Sequence, residues 1–459
     1  MSIGSRKTPF LWAQRQPARA ALWAGLCAGR WAGVWALFAA CAYAQTGFPA
    51  PANGPQLPPP PAISGRLYSS PLPRRDYTAL AAGDWLFYPS LSAGLFYDSN
   101  AAQLPGGGDE SFGVRLDPSL LAQTGNGIKK TTIYGAADGR LSSNASPSGA
   151  RSLTANAGVR ERFEPLPDLA LTADGDYLRE KDLFSGFALN RGVGYLNPTG
   201  TGLAPTAEPQ SYDQLTASLF ADKTFGHAFA GFGGSVQSLA YEHTGDLAPA
   251  PNELTATLTL RGGLWLTPVL YGYAEGSLDR RNSAANALSS NGYRGVVGIG
   301  SSRVRLLRGE IYAGYQGESY RSAEIGTVSG WVVGGEGDYT PLPRLKLMAS
   351  LDEALGASFL APASPLSMGT ATKVTTLLAE AAYDFAPEVS ASGRAGFIRS
   401  DYVGSSRCDN AWTITATISY AIWRNFGLVL DYEHLELNSN VAFESFSRDV
   451  VTIGGTYKY

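Results

Sequence analysis

Cysteine is scarce, with three in 459 residues, and methionine and histidine are equally rare at three each. Cys27 and Cys41 fall within the first 44 residues, and Cys408 stands alone after them. The chain beyond residue 44 therefore has no second thiol for a disulfide. His227, His243 and His434 keep no metal-ligand spacing. Charged residues are only 16%. Long apolar runs are missing too: Arg30 interrupts the one extended stretch, and neither half approaches the ~20 residues of a spanning helix. No nucleophile elbow is present. The G-V-V-G-I-G segment at Gly295–Gly300 lacks the strand–loop–helix setting of a nucleotide site. These absences argue against a helical membrane protein, a metal site, a cofactor and an enzyme. Net charge is −3, and residues 1–44 hold five bases (Arg6, Lys7, Arg15, Arg19, Arg30) and no acid. The remainder is more negative still, which argues against nucleic acid as a partner.

What the chain does have is glycine and aromatics: 54 Gly, 23 Tyr and 19 Phe. That balance suits a closed β structure. Residues 1–44 read as a signal peptide: basic residues, an apolar run from Trp31 to Ala40, then Ala42-Tyr43-Ala44, with cleavage after Ala44. A membrane anchor and a lipoprotein signal ending at Cys41 are the alternatives. Residues 45–83 contain P-A-P-A-N-G-P and L-P-P-P-P. Such a segment favours extended polyproline conformation, and it reads as a periplasmic tail.

From Asp84 to Tyr459 the pattern is a succession of strands. In Trp412–Ile422, Trp412, Ile414, Ala416, Ile418, Tyr420 and Ile422 share one face, while Thr413, Thr415, Thr417 and Ser419 share the other. Glu253–Leu264 repeats the alternation with Leu254, Leu258, Leu260 and Leu264 against Thr255, Thr257, Thr259 and Arg261. A soluble sandwich would alternate in the same way, so the connections decide. Tight turns fall at Gly125-Asn126-Gly127, Pro165-Leu166-Pro167, Phe225-Gly226, Leu266-Thr267-Pro268, Leu306-Leu307, Pro341-Leu342-Pro343, Ala386-Pro387 and Arg424-Asn425. Between them lie longer polar loops, the longest being Ser185–Gln210. Alternating short and long connections mark an outer-membrane barrel, with short turns on the periplasmic side. Eight turns join sixteen strands, and one more at each end makes eighteen, placing both termini in the periplasm. The expected fold is therefore all-β, a closed antiparallel transmembrane barrel.

The last strand, F-S-R-D-V-V-T-I-G-G-T-Y-K-Y, resembles the C-terminal assembly signal of bacterial outer-membrane proteins, with Thr452, Gly454, Tyr457 and Tyr459 in its slots. The opening F-Y-P-S-L-S-A-G-L-F-Y-D-S-N and the closing N-S-N-V-A-F-E-S-F-S-R-D resemble the β-barrel porin 2 family of bacterial outer-membrane proteins. Pro89, Asp98 and Asn100 match its opening, and Ser439, Asn440, Arg448 and Tyr459 match its close. Tyr459 stands where Phe is commoner, and the family suggests no role for Cys408. The resemblance implies a Gram-negative outer-membrane channel, often found with exopolysaccharide systems. It also implies lipid, the assembly machinery and periplasmic export proteins as partners.

Alternation assigns Asp138, Arg140, Arg160, Arg162, Asp174, Asp176, Arg261, Glu275, Asp279, Glu336, Asp338, Glu380, Arg394, Asp431 and Glu433 to the lumen, since charge on the lipid face costs roughly 2–4 kcal/mol for Arg or Lys at midplane. They would line a polar pore or form a salt-bridge lattice that stiffens the wall. Asp174-Gly-Asp176 reads as two lumen carboxylates rather than a cation site. Trp85, Trp265, Trp412, Tyr420 and Trp423 are expected in the interface girdles. Phe96, Tyr134, Tyr271 and Tyr273 are candidates for sugar stacking. The leading expectation is a passage for secreted polysaccharide. The alternatives are a diffusion porin and, more remotely, an outer-membrane hydrolase.

Overall fold

The computed structural model describes residues 79–459 apart from 102–106, 108–109, 144–150, 181–210, 242–251, 285–288, 305–306, 324–325, 358–370, 404–405 and 441–444. The signal peptide with its site at Ala44, nearly all of the proline-rich tail, the Ser185–Gln210 loop and Leu306 lie outside the described residues.

All regular structure among the described residues is β. The strands are β1 (Leu80–Ala82), β2 (Trp85–Asp98), β3 (Ser111–Gly125), β4 (Lys129–Ser142), β5 (Arg151–Leu166), β6 (Leu169–Glu180), β7 (Tyr212–Phe225), β8 (Ala228–Tyr241), β9 (Glu253–Trp265) and β10 (Leu270–Ser283). They continue as β11 (Ser290–Val304), β12 (Leu307–Tyr320), β13 (Thr327–Leu342), β14 (Leu345–Ala357), β15 (Ala371–Ala386), β16 (Val389–Val403), β17 (Cys408–Ala421), β18 (Phe426–Ser439) and β19 (Phe446–Lys458). From β2 onward each strand pairs antiparallel with the next, and β19 pairs with β2 from Val450↔Asp98 to Lys458↔Ser90. Eighteen strands thus close a barrel, which removes every long edge.

The nineteenth strand, β1, adds to the count drawn from the sequence. It folds back on β2 through Gly83, whose φ of 61° is the left-handed conformation glycine adopts without strain. It pairs Leu80 with Phe87, covering the part of the β2 edge beyond the end of β19. Pro89 sits between the two partners, and its carbonyl accepts from the Tyr459 amide at 3.4 Å. In a strand, N and O of one residue point to the same neighbour. The donor that proline lacks is therefore missing where β19 runs out, a tolerated place for it.

The turns are built from local chemistry. Asn126 Oδ1 accepts from the amides of Ile128 and Lys129 at 3.0 and 2.8 Å, and Thr267 Oγ1 accepts from Val269 and Leu270 at 3.3 and 3.0 Å. Such side-chain acceptors satisfy amides that no strand reaches. Pro165 and Pro341 fall in register shifts between Phe163 and Leu166 and between Tyr339 and Leu342. A missing N–H is harmless in a bulge. These turns, the start of β2 and the end of β19 share one rim. The ends of β6 and β7, at Glu180 and Tyr212, lie at the opposite rim.

Large apolar side chains are exposed on the outer face, among them Leu95, Leu260, Leu278, Val297, Ile311 and Ile453. Aromatics bound this belt. Phe225, Phe385, Tyr420, Trp423 and Tyr457 are exposed toward the short-turn rim, and Phe112, Tyr293, Trp331 and Trp412 toward the other. Trp265 departs from the girdle expectation. It is 8% exposed and turned inward, packed edge-on against Tyr271 at 5.1 Å. Strand parity places it there: Trp265 shares the face of Arg261, not that of Leu264.

Inward aromatics lie flat over glycines directly opposite on the next strand. Phe96 covers Gly113, Tyr134 covers Gly158, Tyr271 covers Gly300, Tyr273 covers Gly298 and Tyr312 covers Gly334. A methyl group on Gly300 would come within 2.3 Å of the Tyr271 ring. Glycine here makes room for a ring to lie along the wall.

Candidate functional site: the inner wall of the barrel

The inner face carries the ionisable side chains. Outer-face charges of the strands gather toward the two rims instead, as a membrane belt requires. Among the sequence-derived charged positions, Arg140, Asp279, Asp431 and Glu433 stand beside the exposed apolar residues Leu141, Leu278, Leu430 and Tyr432, the alternation expected of inward charges on a barrel strand.

One cluster forms across the closing strands. In register run Arg140 on β4, Arg115 on β3, Gly94 on β2, Gly454 on β19 and Val429 on β18. The two guanidiniums are neighbours, and carboxylates on both sides offset their repulsion. Arg115 lies 3.1 Å from Asp117 and from Asp138, and 4.0 Å from Asp431. Arg140 lies 3.2 Å from Asp138 and 4.0 Å from Glu433. Arg115 reaches β18 across two strands because Gly94 and Gly454 put no side chain in the way. A cavity of about 70 Å³ opens over these glycines.

Further round the wall, Arg160 pairs with Asp174, its partner in register, and Arg162 with Glu164 at 2.6 Å. Tyr134 donates to Asp176 at 2.6 Å, passing over Gly158. Asp174 and Asp176 thus face the lumen together but serve different partners. Arg394 meets Glu380 opposite it at 3.0 Å.

The most enclosed group spans β9 to β14. Arg261, 4% exposed, donates to Glu310 at 2.5 Å, lies 3.6 Å from Glu275 and stacks 3.8 Å above the Tyr273 ring. Tyr271 also donates to Glu310 at 3.2 Å. Arg294 stands 3.6 Å from Asp352 and 5.0 Å over the Tyr312 ring, and Tyr312 donates to Asp352. Glu336 lies opposite Glu310 in register and Asp338 opposite Arg308. Toward the long-loop rim, Asp279 lies against Gly292, while Arg281 lies 3.1 Å from Glu318 and 3.8 Å from Glu253.

The sequence reading missed Arg115, Asp117, Arg294, Glu310, Glu318 and Asp352. Their signal was the same alternation, visible as Glu310 beside Ile311. Arg294 stands at the edge of the Gly295–Gly300 segment, weighed above as a nucleotide site. The sugar-stacking candidates are corrected. Phe96, Tyr271 and Tyr273 are buried, each pressed on its opposing glycine, and Tyr134 lies over Gly158.

Of the residues that carried the family resemblance, Asp98, Asn100, Ser439, Asn440 and Arg448 lie at the long-loop end of the barrel although they come from opposite ends of the chain, while Pro89 and Tyr459 meet at the other rim. Arg448 grips Asp98 through two nitrogens, at 2.7 and 3.0 Å, with both side chains buried. Asn100 donates to the Ser447 carbonyl at 3.0 Å, and its amide donates to Asp98 at 3.0 Å. Ser439 donates to Asp409 at 2.5 Å, and Asn440 Oδ1 accepts from the Cys408 amide at 3.0 Å. Of the assembly-signal residues, Thr452 and Gly454 lie on the inner face of β19, and Tyr457 and Tyr459 are exposed.

No curated protein sequence matches the chain. Among solved structures, the outer membrane protein opdK of Pseudomonas aeruginosa aligns at 10% identity over 81% of this chain and 98% of its own, with a TM-score of 0.39. OccK9 (OpdG) of the same organism aligns at 12% over 82% and 99%, with a TM-score of 0.42. The FrpB iron transporter of Neisseria meningitidis aligns at 10% over 83% of each chain, with a TM-score of 0.41. The family model described as Putative beta-barrel porin 2 matches residues 76–459. The eighteen-strand closure, the outward apolar belt and that match together identify the chain as a member of the β-barrel porin 2 family, a porin-like channel of the Gram-negative outer membrane.

Proposed function

We propose that the barrel is a passive diffusion channel for small hydrophilic solutes, with a preference for cations. The observation that carries this reading is the inner wall itself. It presents carboxylates and guanidiniums, with acids in excess among the sequence-derived positions, while its aromatics lie flat against glycines. Eighteen strands leave an interior that side chains alone do not fill. An excess of fixed negative charge raises the local cation concentration. A passage for secreted polysaccharide, working with periplasmic export proteins, is the competing reading and rests on the family resemblance.

Purified protein in a planar bilayer is expected to conduct steadily, with a reversal potential that favours K⁺ over Cl⁻. A deletion strain is expected to keep its surface polysaccharide. A silent barrel combined with loss of surface polymer would establish the conduit instead.

The long loops are read as extracellular and both termini as periplasmic. Cys408 begins β17 at the long-loop rim and is half-buried. A membrane-impermeant maleimide is expected to label it in intact cells. Denatured mature protein should carry one thiol, because processing after Ala44 removes Cys27 and Cys41. Labelling only after lysis would reverse the orientation, and three thiols would refute processing.

The outer-membrane assembly machinery is read as recognising the β19 signal. Replacing Tyr457 and Tyr459 together by Ser removes two exposed aromatics and no inner-wall contact. Folded yield, followed by heat-modifiable gel migration, should fall severalfold. An unchanged yield would remove the signal.

A further inference from the structure

The wall of the barrel parts at one place. β12 pairs with β13 along its whole length, from Leu307↔Tyr339 to Ser319↔Thr327, and β14 pairs with β15 from Leu345↔Tyr383 to Ala357↔Ala371. Between them, β13 and β14 pair only from Leu342↔Leu345 up to Gly334↔Asp352. The register would next bring Val333 to Glu353 and, two steps on, Trp331 to Leu355, but neither pair forms.

Each upper half is anchored to β12 instead. On the outer face, Tyr315 packs edge-on against Trp331 at 5.6 Å and shares a hydrogen bond with Ser329 at 2.8 Å. On the inner face, the Gln316 side-chain amide donates to the Leu355 carbonyl at 3.1 Å and accepts from the Leu355 amide at 3.1 Å. One amide that serves both backbone groups of a residue does the work of a neighbouring strand. Gln316 reaches β14 because Gly330, opposite it on β13, puts no side chain in the way. The split has a fixed lower end. Tyr312 passes over Gly334 and donates to Asp352, which also lies 3.6 Å from Arg294.

We propose that this split is a two-position seam and that Gln316 is its latch. In the latched position Gln316 holds the upper end of β14 toward β12. In the released position β14 zips onto β13 in the existing register, with Leu355 opposite Trp331. The Leu355 backbone is served in both, by the Gln316 amide in one and by β13 in the other, so a packed wall can occupy either discrete arrangement. The two differ in width. A glutamine side chain and one hydrogen bond span less than the two interstrand spacings, about 9.6 Å, that a fully paired β13 requires. Release therefore widens the long-loop mouth, and Gln316 is a positioning residue for the bore. The consequence for conduction rests on the channel reading, whereas the seam itself does not.

The test uses the folded mature protein in a Cys408→Ser background. Opposed Cα atoms of an antiparallel ladder lie about 4.5–5.5 Å apart, within disulfide reach. Under copper–phenanthroline oxidation, the Trp331→Cys/Leu355→Cys pair is expected to cross-link slowly. Adding Gln316→Ala should raise that rate about tenfold, the weight of one to two net hydrogen bonds. Gln316→Asn, which keeps the amide but falls one methylene short, should act as Gln316→Ala does. The Tyr339→Cys/Leu347→Cys pair, in register below the split, should cross-link fast whatever stands at 316. In planar bilayers Gln316→Ala should favour a larger conductance level, which the 331–355 disulfide then makes permanent. Heat-modifiable migration verifies that each variant is folded. Fast 331–355 cross-linking with Gln316 present would overturn the latch. Failure to cross-link even in both Gln316 variants would overturn the released position. Cross-linking that depends on Gln316 while conductance levels stay unchanged would overturn the widening. A barrel that never conducts yet cross-links in this way would overturn the channel reading and uphold the seam.

Discussion

Arg448→Ala is expected to destabilise the folded barrel by about 3–5 kcal/mol, the usual cost of removing one partner from a buried ion pair. The substitution strands Asp98, which is 2% exposed, and the Asn100 amide is its one remaining donor among the contacts described above. The site also joins β19 to β2, the last pairing needed to close the sheet. Loss should therefore appear as a lower urea midpoint in liposomes and as an increased unfolded band on unheated gels. Asp98→Asn combined with Arg448→Gln removes both charges and leaves two polar groups that can bond, so it should recover much of the loss. A single-variant effect within about 0.5 kcal/mol would show the clasp to be no more than an ordinary surface contact.

Glu310→Ala should be the second most damaging change, and it acts on stability and conduction together. Glu310 accepts from Arg261 at 2.5 Å and from Tyr271 at 3.2 Å. Without it Arg261 retains Glu275 at 3.6 Å and the Tyr273 ring, but stays enclosed with its charge incompletely met. The expected cost is about 3 kcal/mol. The wall also loses a negative charge beside Glu336, so the K⁺ preference of the open channel should fall. Glu310→Gln keeps an acceptor for Arg261, and should lose less stability while shifting selectivity by a similar amount. Parent-like stability and reversal potential in both variants would remove Glu310 from its assigned place.

The sequence alone determined the class and the strand count of the closed sheet, and it assigned a face to fifteen of the charged residues. The physical reason is locality. Side chains alternate with period two along a strand, and lipid penalises charge on one face, so Asp174 or Glu433 can be placed from its immediate neighbours. Turn chemistry is just as local, as Asn126 and Thr267 show by capping amides two and three residues on. Only the tertiary structure decided which charges meet. Asp98 and Arg448 are 350 positions apart, and Arg115 reaches Asp431 only because closure brings Gly94 and Gly454 between them. The same holds for Trp265 and for the rings once read as sugar platforms. Their inward or outward position is local, but the glycine each ring lies on belongs to another strand. Cross-strand register and ring closure are properties of the whole sheet, and no stretch of the chain carries them by itself.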